Sequence, residues 1–301
     1  MSQETTLISI VGPTAIGKTA LSIAIANHLN CPILSADSRQ FYKEMTIGTA
    51  VPVAEEIQAA EHYFIQHRSI HQPYSVGAYE RDALALIEQL RPEHRYLILV
   101  GGSGLYTKAV ISGLDEFPEV PQSIRSALNT VFETDGIQTL QEELKTVDPD
   151  YYAIVDVHNH QRVIRGLEIY RATGRPFSSF RTNSTKKRPF NILSIGLKAS
   201  REEIYQRIDL RVDQMINQGL LEEVKALFEY RDLNALQTVG YRELFAYLDH
   251  QIDFETAVAL IKTNTRRFSK RQMTWFQKDA TTLWFDYHTK PEDVIKAIRR
   301  S

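Results

Sequence analysis

An α/β protein built on a parallel sheet with helices on both faces is what this sequence predicts, on three observations. Strand-like apolar runs recur along the chain with helical patterns between them. The first run ends in a glycine-bounded loop that opens a helix. One long stretch, 115–190, lacks a convincing strand altogether. The first two describe a core domain made of 1–114 and 191–301; the third is read as a helical insertion domain over 115–190.

In chain order, the strands are expected at 7–11, 33–35, 96–100, 191–197 and 282–285. Helices are expected at about 18–29, 77–91, 103–112, 200–216, 219–230 and 254–277. The insertion sits between the proline-marked segments "EFPEVP" and "KKRPF", and the Ser/Thr-rich "SSFRTNSTKK" reads as a mobile exit loop. With 301 residues, 43% apolar and 24% charged, the chain can bury one large core or a core plus an inserted module.

The single cysteine, Cys31, excludes an internal disulfide, and without a Cys/His cluster there is no finger-type zinc site. No basic leader precedes the first strand, and no stretch approaches the roughly 18 apolar residues of a membrane span. A cytoplasmic protein with no membrane association is expected. The net charge of −2 hides an asymmetry: 161–211 carries twelve Lys/Arg against four Asp/Glu, and 262–278 carries six against none. Two basic segments on an acidic background suggest a polyanionic partner, with solvated helix faces as the alternative for the first segment.

The opening loop, Gly12-Pro13-Thr14-Ala15-Ile16-Gly17-Lys18-Thr19, has the spacing G-x-x-x-x-G-K-[ST] of a P-loop. Its glycines let backbone N–H groups converge on phosphate oxygens, Lys18 adds a point charge, and the Thr19 hydroxyl suits Mg²⁺. A nucleoside-triphosphate enzyme would also want an acid at the end of a neighbouring strand. Here the strand "YLILV" runs instead into Gly101-Gly102-Ser103-Gly104, a second glycine loop that opens a helix. The carboxylate comes after the second strand, as Asp37 in "ILSADSRQFYKEMTIGTA", where a helix-capping role is the alternative.

These segments resemble the tRNA dimethylallyltransferases, also called tRNA isopentenyltransferases. The likeness runs through nearly the whole chain, in "GPTAIGKT", "SADSRQFYKEMTIGTA", "VGGSGLY", "HNHQRVIRGLEIYRATG", "REEIYQRIDLRVDQMINQGLLEEV", "TVGYRE" and "TRRFSKRQMTWF". The resemblance implies a nucleotide-kinase-like P-loop core with a helical insertion. It also implies transfer of a dimethylallyl group from dimethylallyl diphosphate to N6 of the adenosine 3′ of the anticodon. The loop would then hold a diphosphate that leaves whole, assisted by Mg²⁺.

By resemblance, Asp37 is the base that accepts the N6 proton, Ser103 a hydroxyl donor where the family commonly has threonine, and Arg211 a diphosphate-binding arginine. Contacts to tRNA are implied at Asp37, Ser38, Arg39 and Gln40; in the insertion they are expected over Gln161, Arg162, Val163, Ile164 and Arg165, where Arg162 and Arg165 fall at i and i+3 on one face of a predicted helix. Val51 stands where the family often has lysine. Bottom-up, Arg266, Arg267, Lys270 and Arg271 form a basic stripe suited to phosphates, while Val258, Ile261, Phe268 and Trp275 form an apolar stripe read as core. His158 and His160 have no evident third ligand to make a metal site. The alternatives are a P-loop small-molecule or nucleoside kinase and a noncatalytic tRNA-binding module. The expected partners are tRNA and the diphosphate donor, with the protein a monomer.

Overall fold

The computed structural model describes residues 4–182 and 184–300. The chain begins β1 (Thr6–Val11), α1 (Lys18–Leu29), β2 (Ile33–Ser35), α2 (Ala54–Ala59), β3 (His62–Tyr63), α3 (Val76–Leu90), β4 (Tyr96–Val100) and α4 (Gly104–Ser112). Four helices follow: α5 (Gln122–Asp135), α6 (Ile137–Val147), α7 (Pro149–Tyr152) and α8 (His160–Thr173). The chain closes with β5 (Asn191–Lys198), α9 (Arg201–Asn217), α10 (Leu220–Ala226), α11 (Tyr241–Leu248), α12 (Phe254–Phe276), β6 (Leu283–Asp286) and α13 (Pro291–Arg300).

The six strands form one parallel sheet in the order β3-β2-β4-β1-β5-β6. Alternation along β1 and β4 sorts their side chains between two buried layers. Ile8, Ile10 and Ile98 join α1, α9 and α13 in one layer, whereas Leu7, Leu97 and Leu99 join α3 and α4 in the other. The expected α/β class with helices on both faces is the one observed.

Differences in detail have local causes. β3 is two residues long and half-buried, too short to show a period. The helix expected over 219–230 stops at Ala226, because Leu227 turns its N–H back to the Val224 carbonyl at 3.1 Å and a tighter turn follows. α11 and α13 carry no sequence expectation.

Two compact units emerge, with Ser112–Lys187 as the second. The boundaries fall at 112 and 187, rather than at the 115 and 190 read from sequence, because Arg188 is already anchored in the first unit. Its guanidinium donates to the Ala109 and Val110 carbonyls, at 2.6 and 2.8 Å, and pairs with Glu80 at 2.8 Å. It thereby satisfies carbonyls in the last turn of α4 that have no partner within the helix.

The second unit packs α5, α6 and α8 around Leu128, Leu140, Leu144, Val163, Ile164 and Leu167. Of its two deeply buried acids, Glu168 is held by Arg125 at 2.8 Å and by Arg165, and Asp148 accepts from the Tyr151 and Ser178 amides at 3.1 and 2.8 Å.

Both partners of the Arg188–Glu80 pair are close to fully buried, at 7% and 12% side-chain exposure. Arg188→Leu is therefore expected to strand a carboxylate away from water and cost about 3 kcal/mol or more. Urea unfolding checks this as a lower midpoint with an unchanged slope.

Candidate active-site cleft

Because the strands are parallel, the loops after β1, β2 and β4 lie on one rim, where α/β sheets place their ligands. The loop after β1 is the P-loop. Gly12 has φ +146°, and a Cβ there would stand 2.8 Å from the Leu197 carbonyl oxygen, so only glycine fits. Ala15 is also held at positive φ, +63°, a strained state for a residue with a Cβ. Arg207 of α9 secures that strained peptide by donating Nε–H to the Ala15 carbonyl at 2.7 Å. Lys18 opens α1 and reaches back to the Pro13 carbonyl at 2.9 Å.

The loop after β2 carries Asp37. Its Oδ1 accepts from the Arg39 amide at 3.1 Å, while Oδ2 makes no hydrogen bond among the described residues. The loop after β4 approaches so closely that a Cβ on Gly101 would lie 2.5 Å from the Ala36 carbonyl carbon. Ser103 Oγ accepts from the Ser38 amide at 3.0 Å and pairs with the Ser38 hydroxyl at 3.0 Å, so its hydroxyl is held without the methyl a threonine would add. The buried Gln272 of α12 joins this loop to the P-loop. Its Oε1 accepts from the Thr14 amide at 2.8 Å, and its Nε2 donates to the Gly102 carbonyl at 2.9 Å.

These loops surround a cleft of ≈ 900 Å³ onto which Lys18, Thr19, Asp37, Ser103 and Arg211 open. Its electrostatics favour an anion. Burial lowers the Lys18 pKa to about 8; Asp37 opposes the shift and Arg211 adds to it. Arg211 is likewise lowered, first by burial and then by Arg207, and it donates no hydrogen bond among the described residues. Two poorly solvated cations without full compensation are stabilised by a multivalent anion between them.

The Thr19 hydroxyl has no hydrogen-bond partner among the described residues. A hydroxyl and a carboxylate lining the same cleft suit Mg²⁺, which takes most of its ligands from phosphate and water. No cluster of three His, Cys, Asp or Glu capable of holding a metal occurs among the described residues, His158 and His160 included.

Not every residue singled out by sequence reaches the places expected of it. The Arg39 guanidinium donates to the Asn234 and Ala235 carbonyls at 2.9 and 2.8 Å, and the Gln40 amide donates to Thr49 and Ala50 carbonyls at 3.3 and 2.9 Å. Both side chains brace neighbouring loops and Ser38 is held by Ser103, which leaves Asp37 Oδ2 as the group open to a substrate. Val163 and Ile164 are fully buried among the helices of the second unit, so their side chains cannot touch tRNA. α8 turns its polar side outward there: Gln161 and Arg162 are exposed, Gln161 accepts from Arg125 at 2.6 Å, and Arg165 is paired with Glu168.

On α12, Arg266 is paired bidentately with Asp209. Arg267, Lys270 and Arg271 are exposed with no acidic partner among the described residues. The apolar stripe divides as well. Ile261 is buried, but Phe268 and Trp275 are 38% and 41% exposed and line the cleft, contrary to their reading as core.

Two residues with structural tasks here escaped the sequence reading. Gln272 had a signal: it falls in register with the buried positions Ile261, Ser269 and Phe276 of α12, where a polar side chain needs a partner. Glu223 had none. It accepts from the Thr46, Ile47 and Gly48 amides at 2.9, 2.7 and 3.0 Å and from the Tyr241 hydroxyl at 2.6 Å, which shapes one wall of the cleft.

Comparison with known proteins bears on this arrangement. Residues 40–279 match the IPP transferase family. The chain is 53% identical to the tRNA dimethylallyltransferase of Christiangramia forsetii, over 97% of each chain, and 52% identical to that of Flavobacterium johnsoniae, over 97% and 96%. Among solved structures it resembles the full-length tRNA isopentenylpyrophosphate transferase of Bacillus halodurans, with TM-score 0.72, 36% identity and coverage of 99% and 95%. It also resembles a eukaryotic dimethylallyltransferase acting on tRNA, with TM-score 0.80, 26% identity and coverage of 98% and 77%.

The lowered Lys18 pKa has a measurable sign. The side chain is charged below about pH 8 and loses its proton above it. Inorganic pyrophosphate binding by calorimetry is therefore expected to weaken above that pH, by up to roughly tenfold per pH unit beyond any change in the Lys18→Arg variant, whose charge does not titrate there. Parallel pH profiles for the two proteins would disprove the assignment.

Proposed function

We propose prenyl transfer to tRNA as the chemistry of this cleft from one premise: the chain belongs to the IPP transferase family, that of the tRNA dimethylallyltransferases. The observation that carries the assignment to the cleft is its pairing of two incompletely compensated cations, Lys18 and Arg211, with a carboxylate, Asp37, whose Oδ2 accepts no hydrogen bond among the described residues. A kinase is not favoured, because β4 runs into Gly101 without the acid that phosphoryl transfer wants near its metal.

The donor in this reading is dimethylallyl diphosphate, held by the Gly12–Thr19 loop. Breaking its allylic C–O bond leaves the electron pair on the diphosphate while the carbon becomes cation-like. Lys18 and Arg211 oppose the negative charge as it grows, in a site where little water competes. Mg²⁺, held by the Thr19 hydroxyl together with diphosphate oxygens, would supply further charge neutralisation.

The acceptor is N6 of the adenosine 3′ of the anticodon, a weak nucleophile because its lone pair is delocalised into the ring. The N6 lone pair forms the new C–N bond, and the N6 proton passes to Asp37 Oδ2 late in the step. Ser103 and the Asp37 carboxylate are bound to the same short loop through Ser38 and Arg39, which holds the acceptor side rigid.

tRNA phosphates are assigned to Arg267, Lys270 and Arg271 on α12 and to the exposed Arg162 of α8, because these cations have no acidic partner among the described residues. The enzyme is assigned to the cytoplasm as a monomer. Its one cysteine is buried, and a single unpaired thiol suits a reducing compartment. No helix among the described residues is long and apolar enough to cross a membrane.

Mass analysis of nucleosides from tRNA incubated with the protein, Mg²⁺ and dimethylallyl diphosphate, without ATP, is expected to show N6-dimethylallyladenosine and released diphosphate. In the same assay Asp37→Asn should slow the single-turnover rate by roughly 10²–10⁴ at saturating substrates, since the amide keeps the shape but cannot take the proton. A rate within a few-fold of the parent would move the base elsewhere. An obligatory requirement for ATP would restore the kinase.

For the tRNA surface, replacing Arg267, Lys270 and Arg271 together with glutamine should flatten the log–log dependence of affinity on salt by about two to three units. An unchanged slope would place all three off the tRNA.

A further inference from the structure

We infer that Gln272 is a positioning residue for the transfer, one that sets the separation between the leaving-group loop and the proton acceptor. The inference rests on the prenyl-transfer reading of the cleft.

Gln272 is 6% exposed, and both ends of its amide are engaged. Chemistry fixes which end is which. The Thr14 N–H can only donate, so it faces Oε1 at 2.8 Å; the Gly102 carbonyl can only accept, so it faces Nε2 at 2.9 Å. The approach to the second loop is close enough that a Cβ on Gly102 would come within 2.4 Å of Nε2.

The connection continues beyond Gly102. The next residue, Ser103, accepts from the Ser38 amide at 3.0 Å, and Ser38 follows Asp37 in the chain. A side chain near the end of α12 thus joins the P-loop, assigned the diphosphate, to the Gly101–Gly104 loop, which in turn holds the Asp37 loop, assigned the N6 proton, through Ser103 and Ser38. The reacting carbon is attached to the diphosphate, and the nitrogen is hydrogen-bonded to Asp37. Their separation therefore depends on the distance between the P-loop and the Asp37 loop, which Gln272 sets together with the Ser103–Ser38 link. Efficient attack needs the reacting atoms at about 3–3.5 Å, and a shift of about 1 Å can lower a rate about 10²-fold. The Thr14 amide, bound to Gln272, is correspondingly a structural group of the P-loop and not one of its phosphate donors.

The test uses Gln272→Met, which keeps length and apolar volume but removes both hydrogen bonds, and Gln272→Glu, which keeps the acceptor for Thr14 and sets an oxygen against the Gly102 carbonyl. Single-turnover rates at saturating tRNA and donor are expected to fall by about 10–10²-fold in both, with the tRNA dissociation constant within about twofold of the parent. In a double-mutant cycle, Gln272→Met should cost less in the Asp37→Asn background than in the parent, because placing a proton acceptor matters only while one is present. A merely structural role would show equal losses in both backgrounds. Rates within threefold of the parent, or equal losses in the cycle, overturn the inference. Should the Met variant fail to fold, the same rate and cycle measured with the Glu variant decide it. A parent that binds pyrophosphate and tRNA yet forms no prenylated nucleoside removes the prenyl-transfer reading and this inference together. An active parent with an unaffected variant removes the inference alone.

Discussion

Parallel pairing of β1 with β4 on one side and β5 on the other is the constraint on which the rest of the molecule depends. With β2 running the same way beside β4, the chain leaves three strands at one edge of the sheet and must there turn into a helix or loop. Those exits are the P-loop, the Asp37 loop and the Gly101–Gly104 loop. The first approaches β5 at Gly12 and the other two approach each other at Gly101, so close that a side chain at either glycine would collide with backbone. The site is therefore a consequence of strand direction before any functional side chain is considered.

Charge in the cleft follows a different logic from charge elsewhere in the protein. Arg188, Arg266 and Arg125 meet carboxylates and serve the fold. Lys18 and Arg211 are instead kept from full compensation, and burial lowers the pKa of each. The desolvation cost they carry in the free protein is relieved when an anion binds, which suits them to hold an anion and makes them poor contributors to stability. Such local inconsistency between folding and charge is where functional sites are expected.

α12 illustrates how one helix serves both purposes. Its inward side carries Ile261, Ser269, Gln272 and Phe276 into the protein; its outward side carries Arg267, Lys270 and Arg271; and Phe268 and Trp275 border the cleft. A basic stripe and an apolar stripe were both legible at helical spacing. Their boundary was not, because exposure of Trp275 depends on its lying against Gly104 of another segment, where the glycine leaves room for the indole.

By itself the sequence determined the class of fold, the central strands and the opening loop, since apolar periodicity and glycine spacing are local properties that survive without knowledge of the rest of the chain. It also pointed to Asp37, Ser103 and Arg211, through motifs, as groups of one site. Only tertiary structure decided which of the neighbouring residues were free to act. Arg39 and Gln40 lie beside Asp37 in sequence yet bind loop carbonyls; Val163 and Ile164 lie beside Arg162 yet fill a core; Arg266 lies beside Arg267 yet is neutralised by Asp209. Gln272 and Glu223 acquire their tasks from amides and carbonyls far away in the chain. The physical reason is common to all of them. A polar side chain's role is set by the partner that satisfies its hydrogen bonds or charge, and that partner is chosen by the fold, at sequence separations over which no local pattern extends.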